Sequence, residues 1–111
     1  MPAINRILTI EQGASWEEAL PAVDAAGEPL DLTGYTPRMQ IRLAPMGAII
    51  AEPELSVPDP QAGVIVARLP ASMTEDLVWR RGLYDLEVAA EDGTVLRLFA
   101  GEVRISPEIT A

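Results

Sequence analysis

Two runs of alternating residues, 82–90 and 95–106, flank Glu91-Asp92-Gly93-Thr94 and constrain the fold of this chain more than any other feature. An Asp-Gly pair between alternating runs predicts a β-hairpin, because glycine accepts the positive φ that tight hairpin turns require. Tyr84, Leu86 and Val88 share one face of the first run, with Asp85 and Glu87 on the other. In the second run Leu96 and Leu98 share a face opposite Arg97, while Val103 and Ile105 are out of phase with them. One extra residue reverses the alternation, so a bulge at Ala100-Gly101 is expected to restore a single buried face.

The remaining sequence has the same grammar. Ten prolines and eight glycines punctuate it at short intervals, which favours short strands over long helices. Strands are expected over 4–10, 15–22 (an edge, given Glu17-Glu18), 35–43, 48–52 and 64–69. Turns are expected at Gln12-Gly13, 24–29, 44–47 and 59–63. The stretch from Pro53 to Pro58 reads as irregular or edge-like, since proline cannot donate to a ladder. Residues 72–78 read as a short helical turn capped by Ser72 or Thr74, with Leu77 and Val78 facing the core.

About seven short strands with turns every 8–12 residues predict one antiparallel β-sandwich or barrel spanning 1–111. Its expected core is Leu8, Ile10, Leu32, Met39, Ile41, Val64, Val66, Tyr84, Leu86, Val88, Leu96, Leu98 and Val103. At 111 residues there is room for one core and not for two.

Composition removes much chemistry. The chain has no cysteine, no histidine and no lysine. Disulfides, thiolate and Schiff-base catalysis, the commonest general base and the commonest metal ligands go with them. The formal charge of −9 opposes nucleic acid, whose affinity rests on basic residues neutralising phosphates, and equally an anionic membrane surface. No run approaches the roughly 20 apolar residues of a membrane span, and the N-terminus lacks a signal-peptide core, so a cytoplasmic chain is expected.

The enzyme-like features are carboxylate pairs: Glu17-Glu18, Glu52 with Glu54, Asp85 with Glu87, and Glu91-Asp92. Asp85 and Glu87 share the polar face of an amphipathic strand, which marks a solvated sheet surface rather than an acid/base pair. Residues 59–63 lack the spaced oxygens of a calcium loop. No catalytic residue, cofactor or metal site is expected. Arg38, Arg42, Arg68, Arg97 and Arg104 fall on polar strand faces, where pairing with Asp85, Glu87 and Glu102 across the sheet is the plain expectation. The alternative makes Arg38, Gln40 and Arg42 an interaction surface, because arginine is enriched at interfaces. Trp16 and Trp79 read as core or edge-covering residues, or as contact hot spots if exposed.

Four stretches together carry a resemblance. They are Glu11-Gln12-Gly13 with Trp16; Gly27-Glu28-Pro29-Leu30-Asp31-Leu32-Thr33-Gly34-Tyr35; Arg38-Met39-Gln40-Ile41-Arg42; and Gly82-Leu83-Tyr84-Asp85-Leu86-Glu87 with the closing residues 101–110. In this order they resemble a family of small proteins and N-terminal domains among the tail proteins of tailed bacteriophages and prophages, including upper-baseplate N-terminal domains and tail-fibre-adjacent proteins. The middle, 45–58, departs from that pattern. The resemblance implies an immunoglobulin-like β-sandwich and a non-enzymatic structural role, with other tail, baseplate or fibre proteins as partners. It also implies a location in the virion tail, with assembly in the host cytoplasm. It brings no catalytic residues.

Two alternatives come from other classes: a free-standing acidic module of immunity or inhibitor type that covers a basic partner, and a carbohydrate-binding sandwich using Trp16 or Trp79. For assembly, the strand at 4–10, or an Arg38/Gln40/Arg42 face beside it, is the expected contact with a partner or a second copy.

Overall fold

A computed structural model describes residues 3–78 and 80–109. It is a β-sandwich of two sheets. The larger sheet runs β1 (Ile4–Asn5), β9 (Val95–Ser106), β8 (Arg81–Ala90), β4 (Tyr35–Arg42), β5 (Ile49–Ala51), with β2 (Leu8–Glu11) also paired to β9. The smaller sheet has β3 (Trp16–Pro21), β7 (Val64–Leu69) and β6 (Glu54–Ser56), in that order. The strand at 15–22 is thus an edge, as its paired glutamates suggest, and the proline-flanked segment is the edge strand β6.

The β8–β9 hairpin forms the spine. Its turn closes with the Ala90 amide donating to the Thr94 carbonyl at 2.8 Å and the Gly93 amide to the Ala90 carbonyl at 3.0 Å, with Gly93 at φ 93°. The bulge lies earlier than Ala100-Gly101. Leu86 pairs with Phe99 and Glu87 with Arg97, which leaves Leu98 as the extra residue. Both Leu98 and Phe99 are therefore buried in succession, and Phe99 joins the core. One inserted residue corrects the phase wherever it falls, and the bulky Phe99 places it.

Strand β7 corrects the sequence reading. Ile65, Ala67 and Leu69 point inward, and Val64 and Val66 are half-buried on the outer face. Antiparallel pairing of Leu20 with Ile65 and Trp16 with Leu69 sets this phase, because both partners in β3 are core residues. Leu96 is also only half-buried, packed against the core from its rim. The other expected core residues are buried, together with Trp16, Leu20, Ala22, Ala51, Leu77 and Ile105.

The N-terminal run is not one strand. It breaks at Arg6-Ile7, and both halves pair with β9 in parallel, Ile4 with Phe99 and Leu8 with Val103. All other strand pairs are antiparallel. At the break the Arg6 amide donates to the Ala100 carbonyl at 3.1 Å, and the Arg6 guanidinium reaches Glu18 of the smaller sheet at 3.2 Å. The Tyr84 hydroxyl donates to the Arg6 carbonyl at 2.7 Å. A Cβ on Gly101 would lie 2.6 Å from that same carbonyl, so the crossing requires glycine there.

The helical segment is a single turn, α1 (Ala71–Thr74), entered through Pro70 without a side-chain cap. Neither Ser72 nor Thr74 caps it. Thr74 is fully buried, and its hydroxyl donates to the Ala14 carbonyl at 2.7 Å, tying α1 to the β2–β3 corner. Leu77 is buried as expected, whereas Val78 is exposed. Among the described residues no helix is long and apolar enough to cross a membrane.

Candidate functional site

Alternation along β4, β8 and β9 puts every second residue on the outer face of the larger sheet, and register aligns these residues in rows across the strands. One row is Arg38, Glu87, Arg97; the next is Gln40, Asp85, Ala100, Asn5; the third is Ile49, Arg42, Leu83, Glu102. Under the Ala44–Gly47 turn these rows form a concavity of about 740 Å³, bordered by Arg38, Gln40, Arg42, Met46, Leu83 and Arg97.

Most charges here are paired. Arg38 Nε donates to Glu87 Oε1 at 2.8 Å, and Arg97 Nε lies 3.7 Å from Asp85 Oδ2. Glu102 serves both Arg81 at 3.2 Å and Arg104 at 3.3 Å. The expected cross-sheet pairing is present for Arg38 with Glu87 and Arg97 with Asp85; Arg104 meets Glu102 within its own strand, and Arg68 pairs with Glu17 of the smaller sheet at 2.6 Å. Each pair is exposed and contributes about 0–1 kcal/mol to stability.

Arg42 differs. Its guanidinium donates to the Gly47 carbonyl at 2.7 Å and to Gln40 Oε1 at 2.9 Å. Among the described residues no carboxylate forms an ion pair with it. The structure therefore brings Arg38, Gln40 and Arg42 together on one face. That face is not beside the N-terminal strand: β8 and β9 lie between β4 and β1/β2. Trp16 is 8 % exposed and belongs to the core, with no ring face open to a ligand. Trp79 lies outside the described residues.

Sequence reasoning missed two members of this surface. Met46 is 97 % exposed at φ 62°, a left-handed conformation uncommon for a side chain other than glycine, asparagine or aspartate. Leu83 stands on the polar face, in phase with Asp85 and Glu87. That phase is visible in the sequence and was its signal.

The carboxylates held below their usual range sit in turns. Asp31 accepts from the hydroxyl and amide of Thr33, and Asp92 from the amide of Thr94, bonds that favour the ionised form. Among the described residues no three acidic groups gather to hold an ion.

Tyr84 is pushed up to about 12, chiefly by burial, with Arg6 opposing and Glu18 reinforcing the shift. Its folded value lies above the usual value of 10, so its contribution to stability is intact below pH 10 and is lost as pH rises towards 12. Urea midpoints should therefore fall between pH 10 and pH 12, and Tyr84→Phe should flatten that fall. An equal fall in the variant assigns the effect to other groups.

No family model matches the sequence, and no curated protein does. Solved structures do. The N-terminal domain of ORF48 of phage TP901-1 superposes with a TM-score of 0.60 at 15 % identity, over 91 % of this chain and 85 % of that one. CopC from Methylosinus trichosporium OB3b superposes with a TM-score of 0.52 at 14 % identity, over 94 % and 87 %. Both are likenesses of fold.

Proposed function

We propose that this chain is a non-enzymatic attachment module of a bacteriophage or prophage tail, working through protein–protein contacts in the baseplate or at a fibre. The observation that carries this reading is the likeness to the phage ORF48 domain along nearly the whole of both chains. It coincides with the ordered motifs that resemble tail proteins. The outer face of the larger sheet supports a binding role over catalysis. Its carboxylates face arginines, and the chain has no histidine, cysteine or lysine to supply a nucleophile or base. The module belongs to the virion tail and meets its neighbours in the host cytoplasm during assembly.

The test is the composition of particles. Tail particles from the native host, purified on a density gradient and digested for mass spectrometry, should contain peptides of this chain in fixed ratio to the other tail proteins. Its absence from particles whose other tail proteins are detected overturns the reading.

A second reading, an acidic module that covers a basic partner, is favoured by the charge lying away from the larger sheet's outer face. There three arginines accompany thirteen carboxylates. It predicts a soluble complex with a basic protein whose yield falls as salt is raised.

A further inference from the structure

Charge is divided unevenly over this molecule. By strand register the outer face of the larger sheet carries five arginines (Arg38, Arg42, Arg81, Arg97, Arg104) and four carboxylates (Glu11, Asp85, Glu87, Glu102). An otherwise strongly acidic protein thus has one face that is slightly basic. The molecule is 24 Å across in its shortest dimension, and at physiological salt the screening length is about 8 Å. A ligand on that face therefore responds to the local arginines more than to the acidic far side.

Within the face, the Arg42 end combines three properties. The guanidinium is already oriented by Gly47 and Gln40 through two bonds. A guanidinium has five N–H donors, so further donors remain for a carboxylate, and the ordering of a long side chain that binding normally entails is largely complete beforehand. Its row neighbour Leu83, 37 % exposed, and Met46 give the concavity an apolar wall beside it, and Ile49 stands on its other side in the sheet, outside the lining. Apolar side chains flanking an oriented cation match a carboxylate flanked by apolar groups.

We propose that this concavity receives an acidic segment of another protein, in which a glutamate or aspartate meets Arg42 and adjoining aliphatic side chains cover Leu83 and Met46. This deepens the attachment reading, on which it rests, by naming the chemistry of the partner. Arg38 and Arg97, already facing Glu87 and Asp85, border the site and discriminate against basic segments without supplying the main contact.

The test uses the intact 15N-labelled protein and a capped peptide alternating glutamate and valine, with a lysine–valine peptide as control. The glutamate peptide should shift the amide resonances of Gln40, Arg42, Met46 and Leu83, more strongly at low salt than at physiological salt. Arg42→Glu should weaken binding about tenfold or more, as expected when a charge-assisted hydrogen bond is lost. Leu83→Ser should weaken it while leaving Arg42 and its turn unchanged. Shifts elsewhere only, equal shifts with the lysine peptide, or undiminished binding in both variants overturn the proposal. Shifts at this face on dilution without peptide would assign it to a second copy of this chain and overturn it as well. Absence of the chain from particles would sink the attachment reading alone, whereas failure of the peptide titration would sink this site alone.

Discussion

Phe99→Ala lowers the free energy of unfolding by about 3–5 kcal/mol, the range for deleting a buried aromatic ring. Phe99 is the chain's one phenylalanine and is almost fully buried. It follows the bulged Leu98 and stands opposite Leu86 on one side and Ile4 on the other, so the cavity opens in the middle of the larger sheet. A domain of this size has about 5–15 kcal/mol in total, and the variant is left with a small margin. Val95→Ala, at an exposed position of the same strand, should change stability by about 0.5 kcal/mol or less. Urea unfolding followed by tryptophan fluorescence measures both. A Phe99→Ala loss under about 1 kcal/mol would show that the ring is not central to the core.

Gly63→Ala is the second large effect, at about 2–4 kcal/mol. Gly63 ends the 3-10 turn Pro60–Ala62 at φ 74°, and a Cβ there would lie 2.7 Å from the Leu30 carbonyl and 2.8 Å from that of Ala22. Left-handed strain of about 1–3 kcal/mol adds to an overlap with backbone that has little freedom to move, because the Ala22 amide bonds the Gly63 carbonyl at 2.8 Å and the Leu30 amide bonds the Ala22 carbonyl at 3.0 Å. Gly93→Ala separates the two contributions. Its φ is 93°, but the added methyl meets open space, so only the conformational cost of about 1–2 kcal/mol remains. Equal losses in the two variants would remove the steric argument.

These residues also mark where the sequence was legible. The β8–β9 hairpin and its need for a bulge follow from alternation, and so does the pairing of Arg38 and Arg97 with carboxylates across the sheet; the edge status of β3 follows from Glu17-Glu18. The position of the bulge does not, since inserting a residue at Leu98 or at Ala100 restores the same phase. Strand β7 is apolar in both phases, Val64 and Val66 against Ile65, Ala67 and Leu69, so periodicity could not choose between them. Only the partner strand does. Alternation says equally little about which strand is a neighbour, and the parallel pairing of β2 with β9 joins residues 95 positions apart, Leu8 and Val103. At the candidate site the arginines were readable from their phase. Met46 was not, because only the Ala44–Gly47 turn brings it to the concavity beside Arg42.

The parallel pairing has a mechanical consequence. Because β1 and β2 run alongside β9 in the same direction, the described chain enters at one end of this strand pair, beside Phe99, and leaves at the other, beyond Ser106. Tension between the two ends acts along the strands, and the backbone bonds of the pair share the load in shear. An antiparallel pair at this position would place both ends together, and a pull would open its bonds one at a time. The break at Arg6 divides the loaded seam into two patches, and the bonds from Tyr84 and Ala100 hold the joint between them. A domain joined to neighbours through its two ends would resist extension at this seam first, and removing the Tyr84 hydroxyl would weaken the grip at its joint.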